Sequence, residues 1–236
     1  MCNNLEMPAQ SIRARVRTEM TQELKAIARR HLETDGANLS LRAVARDMGM
    51  VSSALYRYFA SRDELLTALI IDAYNDIGAA VETAEAAVED RTDLRGRILA
   101  TARAIRGWAL AKPAEYALIF GSPVPGYTAP PDTIVAATRT PTVLIRIAYD
   151  GHAAGVLADV GTGLSDALHA DLAQACSVIA PGLPEEVLMR GMLAWIHMFG
   201  AVSFELFGQL NNVIEARSDF FDSQIDLVAD VVGLPR

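Results

Sequence analysis

Cysteine is nearly absent from this chain. Cys2 and Cys176 are the only two in 236 residues, and neither stands in a metal-type pair or a disulfide framework. Histidine is scarce too: His31, His152, His169 and His197 include no two at ligand spacing on one helical face. There is no phosphate loop and no Gly-x-Ser-x-Gly elbow, and Gly161-Thr162-Gly163 is too short for a nucleotide fingerprint. Long hydrophobic runs are also missing. The longest strongly apolar stretch without a charge, 191–204, is 14 residues, short of bilayer-crossing length. The opening MCNNLEMPAQ, followed by Arg13, Arg15 and Arg17, lacks an apolar signal core. These absences predict a cytoplasmic protein without metal, cofactor or membrane span. Hydrophobic residues at 51% and charged residues at 21% supply a packed core, enough for one large domain or two modest ones.

Charge is unevenly spread. Residues 1–62 carry ten Lys/Arg against six Asp/Glu, whereas 63–236 carry eleven against twenty-three, within a net charge of −8. A small basic head on a large acidic body points to an anionic partner for the head.

No alternating pattern flanked by hairpin signals occurs, so no sheet is predicted. The periodicity is helical throughout. Val16, Met20, Leu24, Ile27, His31 and Leu32 form the stripe of a first amphipathic helix, closed by Asp35-Gly36. Ser40 is placed to cap a short second helix with Leu41, Val44, Ala45 and Met48 inward. After Gly49 a third short helix turns Leu55 and Phe59 inward, and Ser61-Arg62-Asp63-Glu64 reads as a capping box opening a long fourth helix. Further helices are expected over about 94–111, 113–120, 132–150, 165–180, 185–208 and 212–232. Four prolines and two glycines make 121–131 a rigid loop.

Two short helices on either side of a glycine turn have helix-turn-helix spacing, in which the second helix lies in a major groove. The polar face of that second helix carries Ser52, Ser53, Ala54, Tyr56, Arg57 and Tyr58, with Arg42 before it and Arg62 after it. Hydroxyls, phenols and guanidiniums suit phosphate oxygens and base edges.

The run Leu39-Ser40-Leu41-Arg42, Val44-Ala45, Met48-Gly49, Leu55-Tyr56-Arg57-Tyr58-Phe59 and Ser61-Arg62-Asp63-Glu64-Leu65-Leu66 resembles the DNA-binding region of the TetR (tetracycline repressor) family. The resemblance covers about 50 residues without a gap. It implies an all-α protein with a helix-turn-helix domain over 1–62 and a helical ligand-binding and dimerisation domain over 63–236. It implies phosphate roles for Ser40, Tyr56, Tyr58 and Arg62, and base contacts for Arg42, Ser52, Ser53 and Ala54. Three positions depart from the family pattern: Val51 replaces a polar cap, Tyr58 a histidine and Arg62 a lysine. Trp195 and Gly200 also fit a C-terminal subtype with a Trp-x-x-x-x-Gly pattern. The arginines at 13, 15 and 17 read either as DNA contacts or as a solvated helix face.

In the body, 185–208 is apolar nearly all round, from Val187 through Met192, Leu193, Trp195, Ile196 and Phe204 to Phe207. Such a helix needs cover on every side. With 212–232 it is expected to form a homodimer interface. Trp108, Tyr116, Phe120, Tyr149, His152, Met192, Trp195 and Phe199 are candidate walls of a pocket for a small hydrophobic ligand, or else ordinary core. The resemblance implies a ligand-responsive repressor that binds a near-palindromic site in double-stranded DNA as a homodimer and is released by a small hydrophobic molecule. A DNA-binding dimer without a ligand and an all-α enzyme stand as the other readings.

Overall fold

The computed structural model describes residues 9–161 and 163–236, so Cys2 and Thr162 lie outside the described residues. Among the described residues every regular element is helical. In order they are α1 (Ala9–Asp35), α2 (Leu41–Asp47), α3 (Ser52–Leu55), α4 (Arg62–Ala86), α5 (Leu94–Ala111), α6 (Pro113–Phe120), α7 (Ile134–Ala137), α8 (Arg139–Ala153), α9 (Asp166–Ile179), α10 (Glu185–Leu206) and α11 (Arg217–Val232). A single 3₁₀ turn, Pro131–Thr133, precedes α7.

The chain divides into two compact units. One comprises residues 1–73 with 113–133; the other comprises 74–112 with 134–236. The sequence reading divides the chain at 62/63, at the start of α4. The units part within α4, and the first takes in a segment from between α5 and α7.

In the first unit the local signals act as the sequence reads them. Ser40 caps α2, its hydroxyl accepting from the Ala43 N–H. Gly49 takes φ +70°, a left-handed turn that a side chain would strain. The Glu64 N–H donates to Ser61 Oγ at 3.1 Å, while the Glu64 carboxylate accepts from the Ala60 N–H. This is a capping box shifted by one residue on its return arm. Leu24, Ala28, Leu32, Val44, Ala45, Leu55, Phe59, Leu65, Leu66 and Leu69 form the core. Leu118, Val124 and Tyr127 from the inserted segment pack against it. The Tyr127 hydroxyl lies 2.9 Å from that of Thr67, and Arg29 reaches both Asp72 and Glu115. Val16 is not part of this stripe; it is 47% exposed, because α1 runs on beyond the head's core.

In the second unit α10 packs against α5, α8, α9 and α11. By length and composition it is apolar enough to cross a bilayer, with a mean hydropathy of 1.4. Its Arg190 and Glu205 are nevertheless buried and bonded within the bundle, to the Ala158 carbonyl and Arg106 respectively, which marks a core helix. The expected helix over 132–150 is interrupted: a 3₁₀ turn and α7 precede α8, whose N-cap residue Thr138 makes no side-chain cap bond. The last helix starts at Arg217 rather than 212, after a turn containing Gly208 and Asn212, both at positive φ.

Arg97 on α5 is fully buried. Its Nε donates to Glu85 Oε1 at 2.7 Å and its Nη1 to the Arg91 carbonyl at 3.0 Å. Its Nη2 stands 2.7 Å from the Asp150 carboxylate, an ion-pair distance without hydrogen-bond alignment. Burial raises the Glu85 carboxyl pKa, but the hydrogen bonds from Arg97 and Arg91 outweigh it and hold it below its ordinary value.

Candidate functional site

The turn between α2 and α3 sets the geometry of the head. Leu41, Val44, Ala45 and Leu55 are drawn into the core, which leaves their helical neighbours outside. Arg42 is exposed on the first turn of α2, and Ser40 is exposed just before it. On α3 and the turn after it, Ser53, Tyr56 and Arg57 are exposed, whereas Ser52, Ala54 and Tyr58 are half-buried. The structure thus brings Ser40, Arg42, Ser52, Ser53, Ala54, Tyr56, Arg57 and Tyr58 onto the two short helices and their ends.

The helix proper is only four residues long. Beyond it the Arg57 N–H bonds to the Ala54 carbonyl at 3.2 Å, a tighter 3₁₀-type turn. Val51, in the N-cap position and 71% exposed, offers no side-chain cap bond. The Ala54 N–H bonds to the Val51 carbonyl at 2.9 Å, and the cap residue supplies no side-chain acceptor to the first turn of α3.

Three of the expected contacts have intramolecular partners, Ser40 through its cap bond from the Ala43 N–H. Tyr58 packs against the head core and lies under Arg17, whose guanidinium carbon is 5.6 Å from the ring centroid. Arg62 donates from Nη2 to the Ala37 carbonyl at 2.5 Å, tying the start of α4 to the chain before α2. His31 bonds to Asp47 at 2.7 Å, and that hydrogen bond holds the Asp47 carboxyl below its ordinary value. His31 therefore fixes α2 against α1 and is not a free ligand.

The second unit contains an apolar cavity of about 290 Å³ between α8, α9 and α10. Its walls are Pro141, Leu144, Ile145, Ala148, Ile179, Leu183, Val187, Leu188, Gly191, Met192 and Trp195. No ionisable side chain lines it. Of the eight residues that the sequence marks as pocket candidates, Met192 and Trp195 line this cavity, and the Phe199 ring packs tilted against Trp195 with centroids 4.3 Å apart. Tyr149 packs beside it on the cluster around Leu172 and Cys176, its hydroxyl donating to the Pro181 carbonyl at 2.7 Å. His152 is exposed at the end of α8. Trp108 is buried elsewhere, its Nε1 donating to Asp76 at 2.8 Å. Tyr116 and Phe120 belong to the other unit, their rings 5.2 Å apart.

The remaining wall residues escape a reading by sequence because each is an ordinary apolar residue at helical spacing. At Gly191 in the cavity wall an added Cβ would meet nothing within 4 Å. Cys176 is buried in the cluster with Ala148, Leu183 and Val187, and burial pushes its thiol pKa up.

A second hollow, about 390 Å³, lies between α10 and α11 and is lined by Ile196, His197, Gly200, Phe204, Leu210 and Phe220 among others. On the same two helices Met192, Leu193, Ile196 and Phe204 of α10 and Phe220, Leu227 and Val231 of α11 are all more than a third exposed.

Comparison with known proteins gives a consistent result. The model of bacterial regulatory proteins of the tetR family matches residues 24–69, and that of a tetracyclin repressor-like C-terminal domain matches 98–228. An HTH-type transcriptional regulator of Mycobacterium tuberculosis (strain ATCC 25618 / H37Rv) is 38% identical over 226 residues, covering 92% of this chain and 94% of its own. The crystal structure of the regulatory protein SCO4313 superposes with a TM-score of 0.77 at 33% identity, over 95% of this chain and all of the other. A tetR-family regulatory protein from Rhodococcus RHA1 shares the fold, with a TM-score of 0.61 at 15% identity, over 92% of this chain and 98% of the other.

Proposed function

The chain belongs to the TetR family of bacterial regulatory proteins, and from that membership we propose a ligand-responsive transcriptional repressor that binds a near-palindromic operator as a homodimer and is released by a small hydrophobic molecule. It is a DNA-binding transcriptional regulator; the operator symmetry, the dimer, the ligand and the sign of regulation are the proposal. It works by binding, in the cytoplasm, without a cofactor or metal.

One observation carries the reading: the helix-turn-helix turns Leu41, Val44, Ala45 and Leu55 into the core while leaving Arg42, Ser53, Tyr56 and Arg57 exposed together. An exposed guanidinium before a short helix that bears hydroxyls and a phenol suits a major groove and its phosphates. A single head of this size reads few base pairs, and a two-fold pair reads two half-sites about one helical turn or a multiple apart. The exposed apolar stripes of α10 and α11 support that pairing. Contiguous apolar surface of this kind on a folded chain marks an interaction face.

The apolar cavity supports an uncharged ligand, because an ion would be desolvated there without a partner. Its size, near the lower end for small-molecule pockets, favours a compact molecule. To turn the protein from mostly DNA-bound to mostly free, such a ligand must prefer the released state by about 5.5 kcal/mol for a 1:99 to 99:1 reversal.

Selection of sites from a random pool of duplex DNA, followed by salt titration of the winner, tests the reading. A near-palindrome bound far more tightly than random DNA, with a steep salt slope, is expected. Failure to enrich any site, with or without small molecules from a cell extract, would refute it.

A further inference from the structure

Helix α1 is longer than its job in the head requires. Its first strongly buried residue is Leu24, yet the helix begins at Ala9, and side chains 12–19 are all exposed. At 1.5 Å per residue the stretch before Met20 projects roughly 16 Å beyond the head's own core. It carries Arg13, Arg15 and Arg17 against the single acid Glu19.

These arginines do not share a face. At 100° per residue, Arg13 and Arg17 lie within about 20° of the direction of Leu24, the side of α1 that packs onto α2, while Arg15 points about 180° away. Their contacts agree with the geometry. Arg15 pairs with Glu19 at 3.6 Å on the far face. Arg17 lies over the ring of Tyr58, at the end of the proposed recognition segment, and Arg13 stands one turn further out on the same face. Among the described residues neither Arg13 nor Arg17 has a carboxylate within ion-pair distance. Two cations are thus held beside the candidate DNA-reading surface, one of them steadied by an aromatic ring, with their charge unspent.

We propose that this face of α1 is a phosphate clamp: Arg13 and Arg17 bind the DNA backbone flanking the site read by α2 and α3, whereas Arg15 takes no part. The clamp rests on the DNA-binding reading above and adds affinity without sequence information. Arg17 is fixed over Tyr58 with its outer edge free to donate, and a guanidinium offers several N–H groups, so stacking and phosphate binding are compatible.

The test uses the full-length protein and duplexes of about 40 base pairs, long enough for two half-sites with flanks. One duplex carries a mixed sequence and one the selected site. Each phosphate contact contributes about −0.9 to the slope of log affinity against log salt, so the Arg13→Ala/Arg17→Ala double variant should flatten that slope by roughly 1.8 on both duplexes. Over a fourfold rise in salt the wild type then loses about 12-fold more affinity than the variant. The ratio of affinities for the two duplexes should stay unchanged, Arg17→Lys should restore most of the slope, and Arg15→Ala should bind like the wild type. Thermal melting of each variant separates a damaged head from a lost contact. An unchanged slope in the double variant overturns the clamp, as does an equal fall in Arg15→Ala, which would mean a diffuse charge effect. If the wild type binds neither duplex, the DNA-binding reading itself falls, and the clamp with it.

Discussion

Replacing Glu85 by Gln should expose how much the second unit depends on one buried charge. Glu85 and Arg97 have side chains 4% and 0% exposed, while the other charged partners of this cluster, Arg91 and Asp150, are nearly half exposed. Solvent screens the outer pairs, so they contribute little, and the loss is concentrated in the inner one. Breaking a buried pair from one side costs about 3–5 kcal/mol, because the remaining charge stays desolvated. Glutamine keeps an acceptor near Arg97 Nε and Asp150 remains close by, so the lower end, about 3 kcal/mol, is expected. For a chain of this size that corresponds to a fall in Tm of roughly 6–12 °C. The expected pH dependence has a definite sign. The Glu85 carboxyl is held below its ordinary value, so its stabilising effect is present above the normal carboxylate range and is lost as pH falls through the depressed value. The gap between wild type and variant should be full near pH 7 and should close as pH falls below the ordinary carboxylate range. Far-ultraviolet circular dichroism melts at fixed protein concentration measure both, since assembly would make Tm depend on concentration. A gap under about 1 kcal/mol near neutrality, or one that persists unchanged in acid, would show that the cluster does not act as a buried pair.

Other substitutions probe the remaining parts. Arg42→Ala should cost about 1–3 kcal/mol of operator binding and relax selectivity at one base pair per half-site, read by competition with single-base variants of the site. Arg62→Ala should weaken binding to all sequences alike and also lower the melting temperature, because its guanidinium holds the Ala37 carbonyl; a melt and a binding titration together separate the two effects. Ile196→Glu combined with Phe204→Glu should give a monomer by light scattering while keeping the helical spectrum, since both residues are already in solvent in the single chain. Gly191→Leu, filling a position where a Cβ meets nothing, should leave the fold intact and abolish release from DNA by any small molecule that releases the wild type. Gly233→Ala should destabilise by about 1–3 kcal/mol in a urea melt: its φ is +86°, and an added Cβ would meet Arg190 Nη1 and the Ala158 carbonyl at under 3 Å.

What the sequence reveals and what it hides follow from the range of the interactions. Ser40, Gly49 and the Ser61–Glu64 box act on neighbours a few residues away, so the turns of the head can be read directly from the chain. The break at Thr138 leaves no such trace, because apolar spacing runs through it and no cap bond marks it. The cavity needs Leu144, Ile179 and Met192 from three successive helices, and spacing along any one helix says nothing about the gap between them. Arg97 looks like any arginine on a solvated face; only the convergence of α4, α5 and α8 makes it core. The 121–131 loop is legible as rigid, yet where it rests depends on Val124 and Tyr127 meeting the head.

That last feature bears on how this protein can be taken apart. The head is not a contiguous piece of chain: its core is completed by residues 113–133, which leave the body after Lys112 and return to it at Ile134. A fragment ending at Ala73 would lack Leu118, Val124 and Tyr127 and would leave the Thr67 hydroxyl without its partner. A chimera that grafts this head onto another body must therefore carry the 113–133 excursion with it. By the same reasoning, a protease nick at the Gly126 turn would loosen the head without touching the helix-turn-helix.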